Sequence, residues 1–350
     1  MKIKFTLPLI FLTTGILLGG CSKSSAKEPA VYDNSGIAMG TVVSQRIYSQ
    51  GEDKTGEILH LLTQVEQQYL SWRQEDSGIG QINQQAGKAP AAVDGQTMDY
   101  LKESLSLAEK SGGAFDPTMG KLTRLWDVES ENPRVPDEEE IQRLLKESGF
   151  DKIQLNSQDG QNQVKLEKGC SIDLGAVGKG IGCDEAAALL EKDKDAQGAV
   201  IAVGGSVLTW GAKPDGTDWK VAIRDPRGEQ EDLLGVLTLK GERYVSTSGD
   251  YEKYFIQDGK RYHHILDPDA GYPADAGLIS VTALGENGLI SDGLSTACFV
   301  LGLKKGADLL KKYNAEGIFV DQKNQVYVTE GLSDIFSLEA SGYIVFPFPS

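Results

Sequence analysis

The chain has 350 residues, 40% of them hydrophobic and spread along its whole length, which excludes a disordered chain and leaves room for one large domain or two intimate ones. Lys and Arg number 35 against 51 Asp and Glu, a formal charge of -16, so nucleic acid is excluded as a partner. Only three histidines occur, His60, His263 and His264, which argues against a histidine-rich transition-metal site but leaves oxygen ligation of magnesium open.

At the N-terminus, Lys2 and Lys4 precede an apolar run from Phe5 to Leu18. Those 14 residues fall short of the roughly 20 that a spanning helix needs, and they suit a signal peptide. The run ends Leu18-Gly19-Gly20-Cys21, which resembles a bacterial lipobox, where Cys21 takes lipid and becomes the new N-terminus. The plainer alternative is an ordinary signal peptide that contains a cysteine. The expectation is a signal peptide over 1–20, a lipidated polar tether over 21–35 and a folded unit over 36–350. The chain would then sit on the extracytoplasmic face of a bacterial cell membrane, held there by lipid on Cys21. Cleavage would leave 330 residues (350 minus 20) and, without Lys2 and Lys4, a charge of -18. Cys170, Cys183 and Cys298 are widely separated and odd in number, so they read as small buried thiols rather than a disulfide framework.

Met39 to Tyr48 reads as a strand after a turn at Gly40, and Thr55 to Tyr69 carries apolar residues at helical spacing. A second helix is expected from Gln96 to Ser111, stopped by Gly112-Gly113, and a third from Pro136 to just before Gly149. The second half turns β-rich, with strands expected at 200–203, 207–210, 219–223, 234–239, 244–246, 279–283, 317–320 and 325–329. Helices interrupt it at Lys179 to Lys192 and Asp292 to Tyr313. The order is no regular βαβ alternation, so the fold class is α+β: a single unit with a mixed, largely antiparallel sheet and flanking helices.

Four segments join glycines to reactive polar groups. In Asp173-Leu174-Gly175-Ala176-Val177-Gly178-Lys179, a glycine-rich turn opens a helix beside a lysine, an arrangement suited to a pyrophosphate. Such turns equally serve tight packing, and the spacing is neither a Rossmann nor a Walker A loop. In Ser291 to Ala297, Ser291 is a candidate N-cap, and Asp292 and Thr296 share one helix face as hard oxygen donors for Mg2+. The bland reading is a helix-dipole aspartate and a packed threonine. His264 and Asp267 flank a turn rich in Pro and Gly, a place for a general base, although surface His-His pairs are often inert. Asp116 and Thr118 follow Gly112-Gly113 in a loop that by itself decides nothing.

Together with Met39-Gly40-Thr41, Leu70-Ser71-Trp72, Gly204-Gly205-Ser206, Ile223-Arg224-Asp225-Pro226 and Ser246-Thr247-Ser248-Gly249-Asp250-Tyr251, these segments occur in the order of the ApbE family of FAD:protein FMN transferases. The chain resembles that family from about Met39 to Thr329. The resemblance implies an ApbE-like, T-fold-related catalytic unit. It implies Mg2+ held by the backbone oxygen of Ala176 with Asp292 and Thr296. The flavin site would be lined by Met39, Trp72, Asp116, Thr118, Asp173, Lys179, Gly204, Ser206, Thr247 and His264. His264 would deprotonate or orient an acceptor hydroxyl, with Asp267 positioning it. FAD would be the substrate, and the acceptor a protein with a threonine in a small-residue-rich motif. Trp72 replaces the more usual tyrosine, and Ala270 the usual threonine of the turn after Asp267. Water in place of the acceptor would give a hydrolase yielding FMN and AMP, and loss of chemistry would leave a flavin-binding lipoprotein.

Overall fold

The computed structural model describes residues 28–158 and 160–348. Cys21, the expected signal peptide and the start of the expected tether lie outside the described residues. Nine strands form a central sheet in plain chain order: β1 (Ala30–Ala38), β2 (Thr41–Ser49), β3 (Ala196–Val203), β4 (Ser206–Gly211), β5 (Arg243–Gly249), β6 (Leu278–Gly285), β7 (Glu316–Asp321), β8 (Gln325–Val328) and β9 (Ile344–Pro347). Neighbours pair antiparallel throughout, except β8 with β9, which is parallel. The expected α+β unit with a largely antiparallel sheet is therefore what the chain builds.

Long insertions hang on this meander. Between β2 and β3 come α1 (Thr55–Val65), one π turn (Glu66–Leu70), α2 (Gly78–Gln85), α3 (Gly95–Ser111), α4 (Gly120–Trp126), α5 (Glu138–Glu147) and α6 (Gly178–Lys192). A three-stranded sheet of Ala91–Val93, Ile153–Gln158 and Gln161–Leu166 lies among them. Between β5 and β6 is the hairpin Tyr254–Gln257 and Lys260–His263, and between β6 and β7 is α7 (Gly288–Lys312). Local grammar explains the helices that the pattern foretold. Asp94 accepts from Thr97 N at 2.7 Å to start α3, and Gly112 at φ 67° ends it. Asp137 and Glu140 form a capping box on α5. α6 and α7 pack side by side on one face of β3 to β6 and support the site described below.

Three boundaries differ from expectation. The tether expected to reach residue 35 gives way at Ala30 to β1, which pairs with β2 from Ala30↔Ser49 to Ala38↔Thr41. This edge strand is held by its ladder rather than by burial, since Val31 and Ile37 are exposed, so apolar patterning carried little sign of it. Met39 belongs to no strand: it and Gly40 form a two-residue hairpin turn at φ 54° and 67°. Ser291 is not the N-cap of α7. Asn287 is, its side chain accepting from Ile290 N at 2.8 Å, while Ser291 Oγ donates to Asn287 O. Cys170, Cys183 and Cys298 are free and buried, as expected.

Candidate active site

The site begins where two helices touch through glycines. A Cβ on Gly180 would lie 1.9 Å from Gly288 O, and one on Gly288 would lie 2.1 Å from Gly180 O. Only glycine allows this approach, and it sets the N-terminus of α7 against the first turn of α6. Asp184 of α6 caps that end, accepting from Gly288 N at 2.6 Å and Leu289 N at 2.9 Å. Burial pushes the Asp184 carboxyl up to about 7 even though both N–H groups pull it down.

Asp292 lies one turn into α7 and is 2% exposed. Its Oδ2 accepts from Gly180 N at 3.0 Å and from Lys179 Nζ at 3.3 Å, whereas no hydrogen bond among the described residues reaches Oδ1. One turn further on, Thr296 Oγ1 sits 3.2 Å from Ser248 Oγ, which also bonds Ser295 Oγ at 2.7 Å. Ala176 occupies the turn that leads into α6. A buried carboxylate with an open oxygen and a hydroxyl on the same helix face is a donor set that suits a hard divalent cation.

Opposite, the turn between β3 and β4 makes a floor. A Cβ on Gly204 would meet Thr41 Oγ1 at 2.7 Å and Lys179 Cδ at 3.3 Å. One on Gly205 would meet Thr247 O at 2.9 Å and Glu252 Oε1 at 3.2 Å. Lys179 and Glu252 thus rest on adjacent glycines. Burial works against the Lys179 ammonium, but Asp292 and Glu252 outweigh it and raise its pKa. Burial likewise raises the Glu252 carboxyl, with Lys179 opposing. Ser206 is buried, accepting from Ser246 Oγ at 2.9 Å. Strand alternation turns Thr247 to the other face of β5, where its hydroxyl meets Thr282 Oγ1 at 2.9 Å, so the structure does not bring it to Asp292. Met39 packs its sulfur where a Gly182 side chain would be, at 2.7 Å from that Cβ position.

A second group lies towards α4. The Trp72 ring has the guanidinium carbons of Arg73 and Arg124 at 4.1 and 4.6 Å from its centroid. Burial raises the Asp173 carboxyl, while Gly175 N–H, Arg73, Arg124 and Trp72 pull it down. Asp116 and Thr118 hydrogen-bond to each other and to neighbouring backbone. Thr118 Oγ1 donates to Asp116 Oδ1 at 2.6 Å and accepts from Gly149 N at 2.7 Å, while Asp116 Oδ2 accepts from Phe150 N at 3.1 Å. They tie their loop to the corner after α5.

His264 follows the 254–263 hairpin. That hairpin is clamped by Trp126, which stacks on Tyr262 at 5.8 Å, meets Phe255 and Tyr272, and donates from Nε1 to Gly271 O at 2.8 Å. His264 Nδ1 lies 3.3 Å from Lys253 O. Burial first, then Lys179, Lys253 and His263, push its pKa down to about 3, so the ring is neutral near pH 7. The expected positioning of His264 by Asp267 is not what the structure shows. Asp267 Oδ1 accepts from Asp269 N at 2.9 Å and its backbone bonds Gly271 N and Tyr272 O, so one carboxylate oxygen serves this short Pro-rich turn. His263 is buried between Ala274 O and Ile265 N and has no free nitrogen for chemistry.

Residues 39–319 match the ApbE family. The chain belongs to the ApbE family. Curated relatives include an FAD:protein FMN transferase of Treponema pallidum, 32% identical over 336 residues and covering 91% of this chain and 92% of that one. One of Klebsiella pneumoniae is 32% identical over 317 residues, covering 90% and 97%. Among solved structures, the ApbE protein of Thermotoga maritima superposes at TM-score 0.79 with 34% identity, over 87% of this chain and 99% of that one. The Pseudomonas stutzeri flavinyl transferase ApbE, in its apo form, gives 0.77 with 28% identity, over 90% and 100%. In this ApbE chain the residues that sequence reasoning passed over are Arg73, Arg124, Asp184, Ser248, Glu252 and Thr282. Ser248 had a signal, because it alternates with Ser246 on the strand face that meets α7. Glu252 and the arginines had none: single charged residues in loops acquire meaning only from the elements that converge on them.

Proposed function

We propose that this ApbE chain is an Mg2+-dependent FAD:protein FMN transferase, acting from the outer face of a bacterial membrane to which lipid on Cys21 anchors it. The observation that carries the reading is the Asp292 carboxylate, buried at a helix crossing with one oxygen open, with Lys179 on its other oxygen and a neutral His264 nearby. The curated names of its relatives supply the substrate, FAD, and the existence of a protein acceptor. The sequence Leu18-Gly19-Gly20-Cys21 supports the anchor.

Asp292, Thr296 and the backbone oxygen of Ala176 would hold Mg2+, which when bound neutralises pyrophosphate charge and eases departure of AMP. Lys179 adds a positive charge over the Gly204-Gly205 floor, where the pyrophosphate would lie. Trp72, with its flanking guanidiniums, offers an aromatic face for a flat ring. The acceptor's threonine or serine oxygen attacks the FMN phosphorus, the bond from that phosphorus to the bridging oxygen breaks, and AMP leaves with the bridging oxygen. The hydroxyl proton passes to His264, whose ring is neutral and able to accept it. Burial is the main cause of its low pKa, and negative charge arriving with the pyrophosphate would offset the smaller part that Lys179 and Lys253 add.

The test mixes the chain with FAD, Mg2+ and an acceptor protein carrying a threonine in a small-residue-rich segment. A mass gain of one FMN on the acceptor, abolished by EDTA and by Asp292→Ala, is the expected result. Release of free FMN and AMP at an equal rate with and without acceptor would replace the transferase with a hydrolase. Tight FAD binding with neither product would reject the enzymatic reading.

A further inference from the structure

Lys179 stands between two carboxylates. Its Nζ is 3.3 Å from Asp292 Oδ2, and its stem crosses Gly204 beside the Glu252 carboxylate on Gly205. After Asp292, Glu252 is the next charge that favours its ammonium. A carboxylate that is 2% exposed needs a counter-charge, and in the ligand-free chain Lys179 supplies it. A divalent cation on Asp292 would make that ammonium a like-charge neighbour in a poorly solvated place, so Lys179 has to leave. The stem passes over Gly204 and the Glu252 carboxylate lies over the adjacent Gly205, so a head that turns away from Asp292 has an acidic group close by.

We propose that Lys179 supplies, in the ligand-free enzyme, the counter-charge to Asp292 that the divalent cation supplies when bound, and that Glu252 is a positioning residue that receives the displaced ammonium. The proposal rests on the reading of Asp292 and Thr296 as cation ligands. Cation entry would then aim Lys179 at the Gly204-Gly205 floor before the pyrophosphate arrives. Glu252 acts through Lys179 and touches neither cation nor phosphate.

Isothermal titration of MgCl2 into the full chain without FAD tests this. The proteins are wild type, Asp292→Asn, Lys179→Met, Lys179→Gln, Glu252→Gln and the double variant Lys179→Met/Glu252→Gln, each first shown to keep wild-type circular dichroism. Charges that act on one another couple, so Lys179→Met should tighten Mg2+ binding by about threefold or more, and Glu252→Gln should weaken it by about threefold or more. In the Lys179→Met background the Glu252 effect should shrink to less than about twofold. Lys179→Gln should follow Lys179→Met if methionine misfolds. Equal weakening by Glu252→Gln in both backgrounds would mean that Glu252 acts on the cation itself and would overturn the proposal. So would Lys179 variants that fail to tighten binding. If wild type binds no Mg2+, or Asp292→Asn binds it as well as wild type, the cation site fails and the proposal with it.

Discussion

Replacing Gly180 by alanine should break the site from its foundation. The new Cβ would lie 1.9 Å from Gly288 O, 2.4 Å from its carbonyl carbon and 2.8 Å from Asp292 Cβ. Real Cβ atoms do not approach closer than 3.0 Å, so α6 and α7 must part by 3.0 minus 1.9, or 1.1 Å. The obstructing atoms are backbone and cannot rotate away. Overpacking of this kind costs about 1–3 kcal/mol, and the upper end applies here because neither helix yields alone. The better helix propensity of alanine returns at most about 1 kcal/mol. The same parting stretches the 3.0 Å bond from Gly180 N to Asp292 Oδ2, so Mg2+ binding should weaken together with stability. Gly56 in α1 is the control, because nothing lies within 4 Å of its Cβ position. There alanine should be neutral or stabilise by up to about 1 kcal/mol. Urea denaturation followed by circular dichroism, with calorimetric Mg2+ titration alongside, reads both. Equal stability for the two variants, with Mg2+ binding unchanged in Gly180→Ala, would refute the argument that this helix contact builds the site.

Thr118→Val should cost about 1–3 kcal/mol by urea denaturation, because it orphans the Gly149 N–H and removes a donor to Asp116, while Thr118→Ser should recover most of it. Asp184 binds a proton in the folded chain up to about pH 7 but in the unfolded chain only to its ordinary value near 3.8, so its contribution to stability is full below that value and is lost as pH rises to 7. Relative to Asp184→Asn, wild type should therefore lose stability between about pH 4 and pH 7 and stay level above. Parallel denaturation curves for the two would contradict this. The His264 ring resonances in an NMR titration should stay still from pH 8 to pH 5, since its proton is taken up only near 3, and a midpoint near 6.5 would contradict it.

Much of this arrangement was legible because it is written locally. The capping box at Asp137 and Glu140, the glycine stop after Ser111 and the apolar rhythm of the helices are short-range signals, and each expected helix appears within a few residues. Asp292 and Thr296 could be placed on one face because helical spacing alone decides it. β1 was lost because its stability is a backbone ladder with an open face, which leaves no apolar alternation to read. The N-cap of α7 was misplaced because Asn287 and Ser291 are both good capping residues. The choice fell to Asp184, 104 residues away, which can meet the helix end only if the chain starts turning at Asn287.

The same division applies to the polar residues of the turns. Asp116 and Thr118 as flavin-lining residues and Asp267 as a partner of His264 are expectations that a sequence cannot decide, since an aspartate in a turn is equally able to bind a ligand or its own backbone. The structure decides by supply of donors. Gly149 N reaches Thr118, Phe150 N reaches Asp116, and Asp269 N reaches Asp267 Oδ1, so part of their accepting capacity goes to nearby backbone. Asp292 differs because the N–H groups at the start of its helix are taken by Asp184 and Asn287, and the donors that do arrive, Gly180 N and Lys179 Nζ, both come to Oδ2. Its other oxygen is left open by the geometry of a crossing that two glycines permit. A carboxylate that is almost fully buried and still has one oxygen open calls for a cation, and only the three-dimensional arrangement shows both conditions.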